Sequence, residues 1–183
     1  MRIIGGSHKG RMIHAPGNLP VRPTTDYAKT GLFNLLNNRI DFEDLHVLDL
    51  FAGAGGITFE FASRGAAEVT SVDRHHHCVR FIQQAAREMS LSMVRAIKAD
   101  VFRFLRGTSR AYDVVFADPP FDLAEREELV KSVLENGWVR PGGWFVLEHP
   151  SKEDALWEKK GETRQYGNCS FTFFRRQDQP AEQ

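Results

Sequence analysis

Short apolar runs alternate with helix-like segments along most of the chain, and this alternation limits the folds open to it. From residue 45 onward the helix-like segments separate strand-like runs at residues 45–50, 68–72, 93–97, 112–117 and 144–147. Strands that alternate with helices form a parallel sheet whose two faces are both covered. The alternation therefore predicts an α/β fold of the Rossmann-like type.

The two ends of the chain follow a different pattern. The last two strand-like runs, at about 155–166 and 170–175, leave too few residues between them for a crossover helix. We therefore expect the final pair of strands to be antiparallel. At the other end, Arg2–Ile4 and Arg11–His14 flank three glycines, a pattern typical of a small β-hairpin.

Length and composition limit the domain count and the compartment. A chain of 183 residues predicts one domain, with a hairpin extension at 1–23, a core at 24–176 and a frayed tail at 177–183. Basic and acidic residues number 24 each, which excludes a generally polybasic protein. Two cysteines, no signal-peptide pattern and no apolar stretch of membrane-spanning length predict a soluble cytoplasmic protein.

A glycine-rich turn follows the first strand of the predicted sheet. Gly53 and Gly55 lie between that strand and the next helix, where open parallel sheets bind ligands. Asp73 ends the following strand, twenty residues after Gly53, and its carboxylate can accept hydrogen bonds from ribose hydroxyls. The alternative is that the glycines only make a tight turn and Asp73 only caps the next helix.

The residues around this turn favour a cofactor without phosphate. No Lys follows the glycines as a P-loop requires, and Thr58 stands where a dinucleotide fingerprint has its third glycine. Asp49, before the glycines, suits a ligand with a positive group such as an ammonium. S-adenosylmethionine, which has a ribose, an amino acid end and a sulfonium, fits this pattern.

A second motif, Asp118-Pro119-Pro120-Phe121, ends the fourth strand of the sheet. Its backbone is stiff, and it presents the Asp118 carboxylate and the Pro119 carbonyl as acceptors beside the flat face of Phe121. This arrangement suits a flipped base, stacked on Phe121, whose exocyclic amine donates to both acceptors. The exocyclic amine is a poor nucleophile, and such hydrogen bonds would direct its lone pair at the carbon of a methyl donor. The alternative is a Pro-Pro turn with a helix cap.

Basic residues collect at the N-terminus, where residues 1–25 contain no acid. Arg2, Lys9, Arg11 and Arg22 are candidate contacts to RNA phosphates, although a solvated charged surface would look the same. His75–His77 are predicted to be an exposed first helical turn and not a metal site, because neighbouring helical side chains point apart. Cys78 is predicted to be a core residue.

Both motifs, together with the N-terminal stretch, resemble the RsmD family of bacterial 16S ribosomal RNA guanine-N2 methyltransferases. The N-terminal matches are Arg2–Gly6, Lys9–Arg11, Arg22–Asp26 and Leu32–Asn34. The resemblance implies a seven-stranded class I methyltransferase sheet with a small N-terminal hairpin. It also implies methyl transfer from S-adenosylmethionine to one guanine N2 in the small subunit or its assembly intermediate.

By position, the resemblance assigns a role to each motif. Asp118, Pro119 and Phe121 match the catalytic motif, Asp73 matches the ribose-binding acid, and Asp100 matches the acid near the adenine. The predicted cofactor site as a whole is Thr25, Asp49, Phe51, Gly53, Gly55, Asp73, Arg74, Asp100 and Val101. Residues Tyr27–Thr30 depart from the family pattern, which usually has basic residues and a Glu there.

Other functions also fit the sequence. An amino-methyltransferase could act on adenine N6 in DNA or RNA, or on a protein glutamine, although 183 residues leave no added DNA-recognition domain. A catalytically silent nucleotide-binding or RNA-binding scaffold is the third possibility, and the intact Asp118 motif argues against it. We expect a monomer with no metal and no membrane partner.

Overall fold

A computed structural model of the chain describes residues 1–17, 19–20, 24–151 and 160–177. Its helices are α1 (Asp26–Asn37), α2 (Gly56–Ser63), α3 (His76–Glu88), α4 (Val101–Leu105) and α5 (Arg126–Glu135). Its strands are β1 (His46–Leu50), β2 (Glu68–Asp73), β3 (Val94–Lys98), β4 (Tyr112–Ala117), β5 (Val139–Pro150), β6 (Glu162–Tyr166) and β7 (Cys169–Arg175). The predicted alternation of strands and helices is confirmed.

All seven strands join one sheet in the order β3-β2-β1-β4-β5-β7-β6. The strands from β1 to β5 are parallel, and β7 lies antiparallel to both β5 and β6. The predicted antiparallel final pair is therefore confirmed. Because the chain runs outward from β1 to β3 and then returns to β4, the strand order reverses beside β1. That reversal opens a crevice at the carboxyl ends of β1 and β4, where ligands bind in folds of this kind.

Apolar side chains fill both faces of the sheet. Val47 and Leu48 are adjacent on β1, point to opposite faces and are both fully buried. Val47 joins a cluster with residues of α1, α2 and α3, whereas Leu48 joins a cluster with residues of α4 and α5. The helices thus hold the central strands from both sides, which makes the carboxyl edge a rigid platform.

The N-terminal hairpin is too short to form two regular strands, but hydrogen bonds hold it against α2. Its antiparallel pairing is a single bridge between Arg2 and Met12. Ser63, in the last turn of α2, accepts from the Ser7 amide at 2.7 Å and donates to the Gly5 carbonyl at 2.6 Å. Ile3 is buried in the core. The hairpin therefore packs against the sheet-bearing part of the chain and does not project from it.

Two predicted boundaries are wrong. Strand β5 is longer than the expected 144–147 and continues through the Pro141–Gly143 turn, where its register with β4 shifts. Helix α5 begins at Arg126, after a turn in which the Leu123 amide donates to the Pro120 carbonyl. Strand β6 begins at Glu162; part of the range predicted for it, residues 155–159, lies outside the described residues.

None of the helices in the described part of the chain is long and apolar enough to cross a bilayer.

Candidate active site

A cavity of about 960 Å³ opens at the carboxyl edge of the sheet, beside the reversal of strand order. Residues from both sequence motifs line it. The predicted site residues on its wall are Thr25, Asp49, Phe51, Gly53, Asp73, Arg74, Asp100, Val101, Asp118, Pro119 and Phe121. The structure therefore brings the glycine turn and the Asp118 motif, sixty-odd residues apart in the chain, to one site.

Positive φ angles shape the turn after β1. Phe51 has φ 59°, Gly53 has φ 54° and Gly55 has φ 80°. For Phe51, which carries a side chain, this conformation costs on the order of 1–3 kcal/mol, and such strain clusters at ligand sites. It allows the chain to reverse tightly into α2, and the Ala52 amide still pairs with the Val72 carbonyl at 3.1 Å.

Gly55 does not line the cavity, contrary to its predicted place in the cofactor site. It is the N-cap of α2. A Cβ atom there would lie 2.9 Å from the side chains of both Ile82 and Phe59. Gly55 is thus required by helix packing and by its positive φ, and its effect on the site is indirect.

Asp49 is the buried acid at the base of the cavity. It lies in β1, is 1% exposed and accepts a 2.5 Å hydrogen bond from the Thr58 hydroxyl. The Thr58 hydroxyl also lies 2.7 Å from that of Ser71. Burial raises the pKa of Asp49 to about 7, and the nearby Asp73 adds to the shift. An acid held this way favours a cationic ligand, because a positive charge would offset the unfavourable burial of the carboxylate.

Asp73, at the end of β2, is fixed by two backbone amides. One carboxylate oxygen accepts from the Gly53 amide at 2.9 Å, and the other accepts from the His75 amide at 2.7 Å. The carboxylate therefore ties β2 to the glycine turn and orders the start of α3. Because each oxygen has further lone pairs, it can also accept hydrogen bonds from a ligand in the cavity.

The remaining predicted cofactor residues surround these two acids. Asp100 caps α4 by accepting from the Arg103 amide at 2.9 Å, and buried Val101 follows it. Thr25 caps α1 by accepting from the Ala28 amide at 3.2 Å. Arg74 is exposed at the end of β2. Caps and strand ends thus supply most of this part of the wall.

The Asp118 motif follows β4 directly, next to the end of β1. The Asp118 amide donates to the Leu50 carbonyl at 3.3 Å, which joins the two strand ends. Phe121 is 49% exposed, so its ring is available at the cavity wall. The Arg126 guanidinium donates to the carbonyls of Pro120 and Phe121, at 3.2 and 2.9 Å, and so fixes the conformation of the loop.

A second acid, Glu148, lies beside Asp118 on the cavity wall. It is in β5, is 5% exposed and accepts from the Thr24 hydroxyl at 3.3 Å. Burial raises the pKa of Glu148 to about 6. The pKa of Asp118 is raised by burial, then by the charges of Glu148 and Asp49. The base of the cavity therefore holds three carboxyl groups, those of Asp49, Asp118 and Glu148, whose pKa values are all raised.

Three of the predicted RNA-binding residues, Arg2, Lys9 and Arg11, do not line the cavity. Arg2 pairs with Asp26 at 3.5 Å and remains half exposed. Lys9 and Arg11 are exposed, and Arg11 donates to the Glu88 carbonyl at 3.4 Å. Arg22 lies outside the described residues. The hairpin thus offers basic groups at the surface.

Sequence reasoning missed other residues of the cavity wall, among them Tyr27, Lys29 and Glu148. Tyr27 is 70% exposed, with its ring 5.9 Å from that of Tyr166. Lys29 is buried, pairs with Glu60 at 3.8 Å and donates to the Arg2 carbonyl. Burial is the main cause that lowers the pKa of Lys29. Only Glu148 had a sequence signal, since it is an acid at the end of an apolar strand.

Two of the three adjacent histidines and Cys78 take the places predicted for them. His76 and His77 are exposed in the first turn of α3, and Cys78 is fully buried in the core. The prediction is wrong for His75, which is the half-buried N-cap of α3 and lines the cavity. In the part of the chain that the structure describes, no three or more His, Cys, Asp or Glu side chains are arranged to hold a metal ion.

Proteins of known structure share this fold. A hypothetical protein of Thermus thermophilus superposes with a TM-score of 0.83 at 29% identity, over 95% of this chain and 98% of that one. A 16S rRNA N2 guanine methyltransferase of T. thermophilus, in complex with AdoMet and guanosine, superposes with a TM-score of 0.72 at 26% identity. That match covers 90% of this chain and 46% of the larger one.

Sequence comparison places the chain in a family. The ribosomal RNA small subunit methyltransferase D of Escherichia coli K12 is 32% identical over 148 residues, which are 81% of this chain and 74% of that protein. The family described as conserved hypothetical protein 95 matches residues 1–175. The chain therefore belongs to this family, the RsmD family that its motifs resemble.

Proposed function

We propose that this protein transfers a methyl group from S-adenosylmethionine to the N2 amine of a guanine in 16S ribosomal RNA. The observation that carries the proposal is the shared cavity, which places Asp118, Pro119 and Phe121 on the same wall as Asp49 and Asp73. The names of the E. coli and T. thermophilus relatives support the RNA substrate and the guanine amine.

The acids of the cavity fit the cofactor. Buried Asp49 has a hydroxyl partner, and a ligand ammonium would offset its unfavourable burial. Asp73 is held in one orientation by two amides and would accept from the ribose hydroxyls. Asp100 and Val101, at the start of α4, would flank the adenine. S-adenosylmethionine, when bound, supplies a methyl group on a sulfonium, which is a good leaving group.

The Asp118 motif orients the nucleophile. The Asp118 carboxylate and the Pro119 carbonyl would each accept one hydrogen of the amine, which frees the nitrogen lone pair for the methyl carbon. Phe121 would stack on the flipped base and fix its plane. Methylation leaves a positive charge and one surplus proton on the nitrogen. Because the pKa of Asp118 is raised by burial and by Glu148, its carboxylate is a competent acceptor for that proton.

Features of the surface fit a flipped base from structured RNA. Phe121 and Tyr27, both on the cavity wall, are among the few large apolar side chains exposed on the described part of the chain. Exposed aromatic rings stack on unpaired bases. The basic hairpin residues Arg2, Lys9 and Arg11 would bind nearby phosphates.

The proposal is tested by methyl transfer to defined RNA. The protein is incubated with labelled S-adenosylmethionine and, separately, with undermethylated small subunits, naked 16S RNA and large subunits, and the labelled nucleoside is identified by mass spectrometry. We expect N2-methylguanosine at one position of 16S RNA. Label in adenine, in protein or in large-subunit RNA alone would refute the proposed target, and cofactor binding without transfer would favour a silent scaffold.

Variants of Asp118 test the assigned chemistry. Asp118→Ala is expected to abolish transfer while cofactor affinity stays within a few fold, because the carboxylate acts on the amine. Asp118→Asn keeps an acceptor oxygen and should retain part of the activity. Asp41→Ala, at an exposed loop position that does not line the cavity, is the matched control. Full activity of Asp118→Ala would refute the catalytic role of Asp118.

A further inference from the structure

We propose that Glu148 selects guanine: its carboxylate accepts the N1–H of the base while Asp118 and Pro119 hold the adjacent N2 amine. This inference rests on the proposed function and adds a specificity-determining residue to the same site. Glu148 lies in neither sequence motif, and its role follows from where the strands place it.

The sheet register sets Glu148 beside Asp118. Strands β4 and β5 are parallel neighbours, with Ala117 opposite Leu147. Asp118 and Glu148 are the next residues on the two strands, so both lie at the carboxyl edge. Both also line the cavity.

Glu148 is a buried acid with no basic side chain paired to it among the described residues. The Thr24 hydroxyl donates to it at 3.3 Å, and the thiol of nearby Cys169 donates to the Tyr166 carbonyl at 3.4 Å. Within the described ranges, no Lys or Arg side chain forms an ion pair with it. A buried carboxylate next to a second one is unfavourable for the free protein, and such groups are retained where a ligand uses them.

Guanine offers the donors that this pair of acids needs. Its Watson–Crick edge presents three N–H donors side by side, one on N1 and two on N2. Asp118, the Pro119 carbonyl and Glu148 supply three acceptors on one wall. Adenine instead presents the bare lone pair of N1 next to its amine. A carboxylate facing that lone pair would be repelled and left without a partner, so adenine would be rejected.

The experiment measures discrimination between guanine and 2-aminopurine. Small subunits are assembled with 16S RNA that has either base at the methylated position; 2-aminopurine keeps the amine at C2 but has no hydrogen on N1. The ratio of kcat/KM for the two substrates is measured for the wild type, for Glu148→Gln and for Glu128→Gln. Glu128 is exposed on α5, so its variant is a matched control for the same chemical change.

We expect the wild type and Glu128→Gln to prefer guanine by a common factor. In Glu148→Gln this preference should fall about 10- to 100-fold, for two reasons. The charged hydrogen bond from guanine N1–H to the carboxylate becomes a weaker neutral one, and the new amide can donate to the bare N1 of 2-aminopurine. 2-Aminopurine also lacks the O6 atom of guanine. This loss affects all three proteins equally, so it cancels when their guanine preferences are compared. Cofactor affinity should stay within a few fold.

Each outcome decides one claim. An unchanged preference in Glu148→Gln refutes the role of Glu148, whereas a wild type that methylates neither substrate refutes the proposed function. If Glu148→Gln fails to fold, as judged by thermal unfolding and cofactor binding, Glu148→Asp is measured in its place. That variant keeps the charge and shortens the reach, so kcat/KM for guanine should fall while the guanine preference persists. Equal kcat/KM in Glu148→Asp refutes a direct contact with the base.

Discussion

Binding of the cofactor should release a proton from Asp49, and this coupling can be worked out from the structure. Asp49 is fully enclosed, and burial raises its pKa to about 7 from an ordinary value of 3.8. In the free protein the acid is therefore largely protonated below neutral pH. A ligand ammonium beside it would favour the charged carboxylate and return the pKa toward its ordinary range.

The size of the effect follows from the pKa. A shift of about three pH units corresponds to ~4 kcal/mol of penalty for the ionised acid in the free protein. At pH 6 about nine-tenths of Asp49 carries a proton, and at pH 8 about one-tenth does. Cofactor binding should thus release about 0.9 proton at pH 6, and affinity should rise by up to about tenfold per pH unit between pH 5 and 7.

Isothermal titration calorimetry measures this proton directly. Binding enthalpies are recorded at pH 6 in two buffers with different ionisation heats, and their difference gives the number of protons released. Asp49→Asn is the control, because its side chain fills the same space but does not titrate. The α-amino group of the ligand, with a pKa of about 7.7–8.0, stays charged at pH 6 and contributes equally to both proteins.

The coupling would be refuted by either of two results. One is equal proton release in the wild type and Asp49→Asn. The other is a wild-type affinity that does not change between pH 5 and 7. Weaker binding by Asp49→Asn alone would not suffice to support the coupling, since loss of any ligand contact would weaken binding.

The same acid should also make the free protein less stable at neutral pH. A carboxyl whose pKa is raised on folding binds more protons in the folded state, so the free energy of unfolding falls as pH rises from about 4 to 7. Asp49→Asn should lose less stability over that interval. Urea unfolding of both proteins at pH 5 and 8 measures the difference, and parallel losses would contradict the assignment.

Three further predictions concern the base, the RNA and the core. Phe121→Ala should lower kcat/KM for methyl transfer about 5- to 150-fold at unchanged cofactor affinity, since stacking contributes ~1–3 kcal/mol per base; unchanged kinetics would contradict stacking. Lys9→Glu with Arg11→Glu should weaken subunit binding in filter assays, more so at low salt, and spare the cofactor; equal affinity would show that RNA is bound elsewhere. Glu60→Ala should lower the free energy of unfolding by ~3–5 kcal/mol in urea titrations, because it removes the buried carboxylate that pairs with Lys29 and Arg64; a loss below ~1 kcal/mol would show that these pairs are dispensable.

The sequence alone determined the order of the elements and the two motifs of the site. Apolar periodicity is local, so the alternation of strands and helices could be predicted from it, as could the placing of Asp49, Asp73 and Asp118 at strand ends. Carboxyl ends of parallel strands share one edge, and this rule alone predicted that the motifs would meet. The boundaries of β5 were not predictable, because its pairing across a Pro-Gly-Gly segment is set by the neighbouring strands.

Only the tertiary structure decided which other residues complete the cavity. Glu148 is near Asp118 because β4 and β5 are neighbours in register, and no sequence separation encodes that pairing. Gly31 in α1 is required because the ring of Tyr166 lies against it, and a Cβ there would be 2.0 Å from that ring. Likewise, the pKa of Asp49 depends on desolvation by the whole packed fold. Local patterns fix elements, whereas burial and long-range contact fix the chemistry of the side chains they bring together.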